Sequence, residues 1–287
     1  MGNCNSRACK SILLASVLCL GVPFQSKAEI SSISTLPTSQ SEYSPVLEEG
    51  MFTSGGTYEL ALKLYEEIQK SETGTFEIVV PTLADAWKVK QCLGYELLNG
   101  RSDISSCRVY SDGEERKLKW ESGTETMREH QVASEFIDRI WEEQQEKINS
   151  YTSESEKVDY MSKIILNQYV TAYDRTYKNY AISDMVDRNV YKATCGVFSM
   201  VLDRLCEKAN INSFIEVGYY KGSLHAWNKI VYSDGSISMV DLTVYLACKN
   251  EEYLNMKESS SFYKSRYKKL SYTSEGYMTG VPDMDGQ

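Results

Sequence analysis

"SLHAWNKIVYSDGSISMVDLT", residues 223–243, contains one of the two histidines in the 287-residue chain. It reads as two strands joined at Ser233-Asp234-Gly235. The turn length decides what this hairpin can do. A two-residue Asp234-Gly235 loop pairs Ser233 with Ser236 and Asn228 with Asp241, which puts Asp241 on the face opposite His225. A three-residue loop pairs Tyr232 with Ser236, Trp227 with Asp241 and His225 with Thr243. Asp241 then shares the face of His225 as its diagonal neighbour, roughly 7 Å away between backbones and within side-chain reach. Such a loop wants glycine in a left-handed conformation at its last position, and Gly235 stands there. The three-residue turn is therefore expected.

Immediately upstream, Lys221-Gly222 separates this hairpin from a further strand-like stretch, "SFIEVGYY". Before that comes "TCGVFSMVLDRLCEKAN", residues 194–210, the strongest helical pattern in the chain. Phe198, Val201, Leu202, Leu205, Cys206 and Ala209 recur at i, i+3, i+4, i+7, i+8 and i+11. Thr194 is the expected N-cap and Asn210 the expected stop. Cys195 then falls in the first turn, where unsatisfied backbone N–H groups and the positive end of the helix dipole favour a thiolate. Gly196 is expected to let a substrate carbonyl approach the backbone. Cys206, on the buried face, suits packing or a disulfide. A cysteine at a helix start, a histidine on a strand and an aspartate on the adjoining strand make a set of nucleophile, base and orienter. Spacing alone leaves a second reading open, with His225 a core residue beside Trp227 and Cys195 a small buried hydrophobe.

Further upstream the chemistry thins out. Residues 57–121 read as a small α/β unit. "TYELALKLYEEIQK" has helical spacing, "TFEIVV" is a strand ending at Pro81, and Thr82 caps a helix running to Leu98. "CRVYSDGEERKLKW" reads as a hairpin with Asp112-Gly113 at its turn. An amphipathic helix is expected over 125–149, with Val132, Phe136 and Ile140 on one face. His130 lies among Arg128, Glu129 and Gln131 and reads as part of a solvated face. Another helix is expected from about Ser155 to Tyr173. Downstream, the tail from Glu251 is polar and tyrosine-rich. Its "YKSRYKKL" stretch reads as a closing strand and surface face.

At the N-terminus, Arg7 and Lys10 precede the apolar run "SILLASVLCLGV", and Ser26 and Ala28 follow as small residues. This order is that of a secretory signal peptide over residues 1–28, and it is favoured over the myristoylation pattern that "MGNCNS" also fits. Residues 29–45, rich in Ser, Thr and Pro, read as a flexible leader. Loss of residues 1–28 takes three bases and no acids, moving the net charge from −9 to −12. That balance disfavours nucleic acid as a partner. Five cysteines would remain, Cys92, Cys107, Cys195, Cys206 and Cys248, an odd number that leaves at least one thiol unbridged within the chain. Two distant histidines and no Cys-x-x-Cys pair leave no credible zinc site, and no glycine-rich phosphate loop is visible, so no cofactor or metal is implied.

The stretch from Cys195 to Thr243 resembles the transglutaminase-like superfamily in four features: Cys195 with Phe198 three residues on, Gly218 near a strand end, "HAWN" at 225–228, and "DLT" at 241–243. "YVTAYD", residues 169–174, weakly resembles the tyrosine-containing helix end that precedes the nucleophile in similar bacterial proteins. Two departures stand out: Val244 where an aromatic usually follows the threonine, and "CGVF" in place of the commoner Cys-x-Gly-aromatic. The resemblance implies an α+β fold, with a papain-like transglutaminase core in which a nucleophile helix packs on an antiparallel sheet. That domain would span 122–287, after a small α/β accessory domain at 46–121. It further implies a secreted enzyme acting on protein or peptide amides, in which Cys195 attacks the carbonyl, His225 transfers the proton and Asp241 orients the imidazole. The acyl-enzyme would pass to an amine or to water. The alternative is a catalytically inactive binding module of the same fold at the cell surface. With Cys195 as the free nucleophile, Cys92–Cys107 and Cys206–Cys248 become one of three pairings open to the other four cysteines, which could equally all be reduced. No membrane insertion is expected once the signal is removed.

Overall fold

Strand and helix in this chain follow the two apolar periodicities just described, and among the described residues they build a three-stranded sheet, a four-stranded sheet and two two-stranded pairs. The computed structural model describes residues 50, 56–71, 74–98, 107–112, 115–122, 124–174, 181–272 and 278–279. All belong to one compact unit beginning at Leu47. The expected signal segment (1–28) and leader (29–45) lie outside the described residues. Among the described residues no helix is long and apolar enough to cross a membrane.

The first sheet comes from residues 57–122. Helix α1 (Thr57–Ser71) buries Ala61, Leu64 and Ile68, the stripe that a 3.6-residue period places on one side. Strand β1 (Gly74–Val80) stops at Pro81. Thr82 then accepts the Asp85 N–H at 3.1 Å and opens α2 (Leu83–Cys92), which continues as a π-helical turn, Leu93–Leu97. Strands β2 (Cys107–Asp112) and β3 (Glu115–Ser122) complete an antiparallel sheet in the order β1-β3-β2. Asp112 pairs with Glu115, so Asp112 ends its strand and does not sit in the turn as expected; residues 113 and 114 lie outside the described residues. Leu118 and Trp120 on β3 are fully buried against α1 and α2.

Helix α3 (Thr124–Asn149) buries Ala133, Phe136, Ile137 and Ile140. His130 is not on a solvated face: the Tyr65 hydroxyl of α1 lies 2.9 Å from its Nε2, and burial holds its pKa below the usual imidazole value. The apolar stripe of α1 and the polar turn around His130 meet, and the histidine ties the two helices. Helix α4 (Glu154–Ile164) starts at a reciprocal cap between Ser153 and Glu156 and ends in a π-helical turn, Ile165–Tyr169. The helix expected to reach Tyr173 therefore stops earlier. Strand β4 (Ala172–Tyr173) pairs in parallel with β5 (Lys192–Ala193) across α5 (Ile182–Asp187).

The second sheet carries the hairpin. Helix α6 (Cys195–Lys208) leads into β6 (Asn212–Tyr220), β7 (Ser223–Val231) and β8 (Ile237–Val240). After α7 (Leu242–Cys248), a 3-10 turn (Glu251–Leu254) and α8 (Ser261–Lys264), strand β9 (Tyr267–Lys269) returns beside β6. The antiparallel order is β8-β7-β6-β9. On one face α6 buries Phe198, Val201, Leu202, Leu205 and Cys206 against Ala226 and Ile230. Full burial of each large apolar side chain contributes about 1.5–3 kcal/mol. The other face carries Trp227, Met239, Tyr253, Met256, Tyr263 and Tyr267. This is an α+β fold with a cysteine-bearing helix packed on an antiparallel sheet, as the resemblance implied.

The turn in this sheet is the three-residue one. Tyr232 N–H bonds the Ser236 carbonyl at 2.9 Å, and Gly235 adopts φ 81°. Asn228 pairs with Val240, the register that puts Asp241 opposite Trp227. The expected His225–Thr243 pair does not form, because β8 ends at Val240 and the chain turns into α7. Two contacts cause the departure. Asp241 N–H bonds the Tyr253 carbonyl at 2.8 Å, and the Asp241 carboxylate caps α7 through the Val244 N–H at 3.0 Å.

Cys206 and Cys248 are both free thiols, so the bridge considered between them is absent. Cys206 points into the core between α6 and the sheet, while Cys248 is exposed at the end of α7. The Cys92–Cys107 pairing involves a side chain outside those described.

Candidate active site

Three elements converge on one end of the second sheet. Cys195 is the first residue of α6, in the turn where helix N–H groups lack intrahelical acceptors. Thr194 occupies the N-cap position, yet its hydroxyl makes no capping bond. The first-turn amides are thereby left to face an anion. His225, on β7, is 7% exposed, and Asp241, at the start of α7, is 1% exposed. His225 Nε2–H donates to Asp241 Oδ2 at 2.8 Å. That bond leaves Nδ1 as the ring nitrogen not engaged by Asp241, and Cys195 is near enough to act on the imidazole charge. Burial works against the imidazolium, but the charge and hydrogen bond of Asp241, reinforced by Cys195, outweigh it. The His225 pKa is pushed up to about 10.

The remaining strands explain why the histidine stands there. Gly218 pairs with His225 on one side and Lys269 on the other. A Cβ on Gly218 would lie 2.2 Å from the Lys268 carbonyl oxygen and 2.8 Å from the Trp227 ring, so only glycine lets β9 close on β6. The Trp227 ring lies nearly parallel to the imidazole, 6.3 Å between centroids and 25° between planes. Asn228, on the opposite face, donates its amide to the Ser199 carbonyl of α6 at 2.9 Å, fixing β7 along the cysteine helix. The tetrapeptide HAWN thus has one residue facing the thiol, one under the ring and one on the helix.

Gly196 does not open the backbone to a substrate. A Cβ there would meet the Tyr95 ring at 3.3 Å, so the glycine makes room for a side chain from the first half of the chain. Spacing did not reveal Tyr95, since it lies a hundred residues upstream in a π-helical turn. Tyr267 was equally hidden. Its hydroxyl donates to Asp241 Oδ2 at 2.7 Å, from within a stretch that reads as a basic surface strand. The valine at 244 keeps a function that any residue except proline could serve, because Asp241 uses its backbone N–H.

A groove of about 600 Å³ opens at His225. Tyr173, Leu224, Val244 and Leu246 give it an apolar lining, with Lys221 and the Cys248 thiol also present. Leu224 is 64% exposed at its edge. Among the described residues no group of three or more His, Cys, Asp or Glu side chains could hold a metal ion.

No family model and no curated protein matches the chain. Several solved structures are similar to it. A structure described as a TGase shares 15% identity over 53% of this chain and 49% of its own, with a TM-score of 0.33. A candidate cysteine protease from Cytophaga hutchinsonii shares 13% identity over 59% of this chain and 65% of its own, with a TM-score of 0.32. A candidate protease from Parabacteroides distasonis shares 12% over 74% and 43%, with a TM-score of 0.27. The chain spans less than two thirds of the length of each of these structures.

Proposed function

We propose that the chain is a cysteine-dependent acyl-transfer enzyme acting on protein or peptide amides, with Cys195 as nucleophile, His225 as proton carrier and Asp241 as orienter. The observation that carries this reading is the buried His225–Asp241 bond at 2.8 Å, beside a cysteine at a helix start whose charge acts on the same imidazole.

The steps follow from those positions. With the proton resting on His225, the Cys195 thiolate attacks the amide carbon and a C–S bond forms. The carbonyl oxygen becomes an oxyanion, which the N–H groups at the start of α6 stabilise. The C–N bond breaks as the leaving nitrogen takes the proton from His225 Nδ1, and a thioester remains on Cys195. The neutral imidazole next removes a proton from an incoming amine or water, whose attack expels the thiolate and returns His225 to its charged form. Asp241 keeps Nε2–H engaged throughout. The apolar groove suits an uncharged or apolar side chain beside the attacked carbonyl, and Lys221 favours a carboxylate there over a cation.

Export is part of the proposal. It rests on the order of basic, apolar and small residues over 1–28, and it places the enzyme outside the cell or at its surface.

The test is Cys195→Ala in the full chain, assayed for incorporation of a labelled amine into a glutamine-rich protein and for peptide cleavage. Both activities should disappear. Turnover equal to the wild type would end the proposal.

A further inference from the structure

The second face of the sheet contains a residue that neither the spacing nor the resemblance assigned. Tyr267 lies on β9, is 5% exposed, and pairs with Tyr220 at the edge of β6. Its ring packs edge-on against Trp227 at 5.0 Å and stacks on Tyr263 at 4.9 Å with 9° between planes. Trp227 in turn lies against the imidazole of His225. The Tyr267 hydroxyl ends 2.7 Å from Asp241 Oδ2, the same oxygen that accepts the His225 Nε2–H at 2.8 Å.

We propose that Tyr267 is the positioning residue of the His225–Asp241 pair: its hydroxyl and the Val244 N–H clamp the Asp241 carboxylate, and its ring backs Trp227 beneath the imidazole. The proposal rests on the acyl-transfer reading of the site and adds a residue to it. A carboxylate has two oxygens and four lone-pair directions. Here Oδ1 is held by Val244 N–H, and Oδ2 is shared between Tyr267 and His225. With only the backbone bond and the histidine, each oxygen would have a single donor to resist rotation about the last torsion, a broad and soft degree of freedom. The third donor narrows that torsion.

The hydroxyl does a second thing. It takes up part of the carboxylate's negative charge, so the imidazolium feels less of it. The ionisable groups around Asp241 are His225 on β7, Tyr267 on β9, Tyr220 on β6 and Tyr253 in the 3-10 turn, with Cys195 beyond the imidazole. The Tyr220 and Tyr253 hydroxyls bond each other at 3.0 Å and leave Oδ2 to Tyr267. Burial and the neighbouring carboxylate hold the Tyr267 pKa far above its usual value, so it stays a donor at every working pH.

The experiment is a histidine titration by NMR on the full-length protein, with its two histidines told apart by a His130→Gln sample. Tyr267→Phe keeps the ring and removes the donor. The His225 titration should move up by about one pH unit, the scale of a lost hydrogen bond to a charged group. Tyr263→Phe, which removes a hydroxyl from the stacked neighbour, should leave it in place. An unmoved titration in Tyr267→Phe, or an equal shift in Tyr263→Phe, would overturn the proposal. The measurement does not depend on turnover. An inert Cys195 with a shifted titration would defeat the enzyme reading alone, while a reactive Cys195 with an unmoved titration would defeat this one alone.

Discussion

Replacing Asp241 by asparagine changes one oxygen to an amide nitrogen and tests the site at its centre. The carboxylate accepts three hydrogen bonds, from His225 Nε2–H, the Tyr267 hydroxyl and Val244 N–H. Asparagine has one acceptor oxygen. Turned towards Val244, it presents its NH₂ to His225, and the ring must adopt the tautomer with Nε2 accepting and Nδ1–H facing the sulfur. No lone pair then remains to take the thiol proton. Turned the other way, it leaves Val244 N–H without an acceptor in a buried cap. On the proposed acyl-transfer reading, the tautomer error should cost about 10³–10⁴ in turnover, equivalent to about 4–5.5 kcal/mol on the barrier.

Stability follows the same proton. His225 goes from about 6.5 unfolded to about 10 folded. A raised folded pKa stabilises the native state fully below 6.5, and this stabilisation is lost as pH rises from 6.5 through about 10. Thermal melts followed by circular dichroism should therefore fall across that window in the wild type and flatten in Asp241→Asn. Single-turnover acylation at pH 7 measures the rate loss. A variant within tenfold of the wild type, or a wild-type melting temperature that is constant from pH 6.5 to 10, would refute this account of the pair.

Two further outcomes follow from the packing. Asn228→Ala removes the bond to the Ser199 carbonyl and should destabilise the fold by about 1–3 kcal/mol in urea titrations, since both partners are buried. Loss of stability without any fall in Cys195 alkylation would show that β7 does not need this tie to hold its register against α6. Gly218→Ala drives a methyl group into the Lys268 carbonyl, at 2.2 Å before any movement. We expect β9 to be displaced, with a loss of at least about 3 kcal/mol and a blue-to-red shift in Trp227 fluorescence as water reaches the aromatic face. Wild-type stability would mean that β9 is not held where we describe it.

The hairpin was legible in the chain because one residue type settles it. Gly235 at the last loop position admits the left-handed conformation, and a single added loop residue moves Asp241 to the face of His225. The cysteine helix was legible for a similar reason, an uninterrupted 3.6-residue stripe from Phe198 to Cys206. What escaped were contacts made between distant segments. Tyr267 looks like any tyrosine in a basic strand until β9 docks on β6. Asp241-Leu242-Thr243 continues an apolar alternation, and only the Tyr253 carbonyl and the Val244 amide show that the strand has ended there. His130 reads as solvated because its sequence neighbours are charged, whereas its partner belongs to another helix. Gly196 reads as space for a substrate for the same reason, since the Tyr95 ring that fills it comes from a distant segment.

That last glycine has a consequence for the molecule as a whole. Tyr95 sits in the notch beside Cys195, and its backbone carbonyl is 3.5 Å from the Arg204 guanidinium further along α6. The start of α6 is thus seated in a socket made by residues a hundred positions earlier. A fragment beginning after β3 would retain Cys195, His225 and Asp241 but lose the Tyr95 ring that packs against Gly196, so the seating of this helix start draws on both halves of the polypeptide.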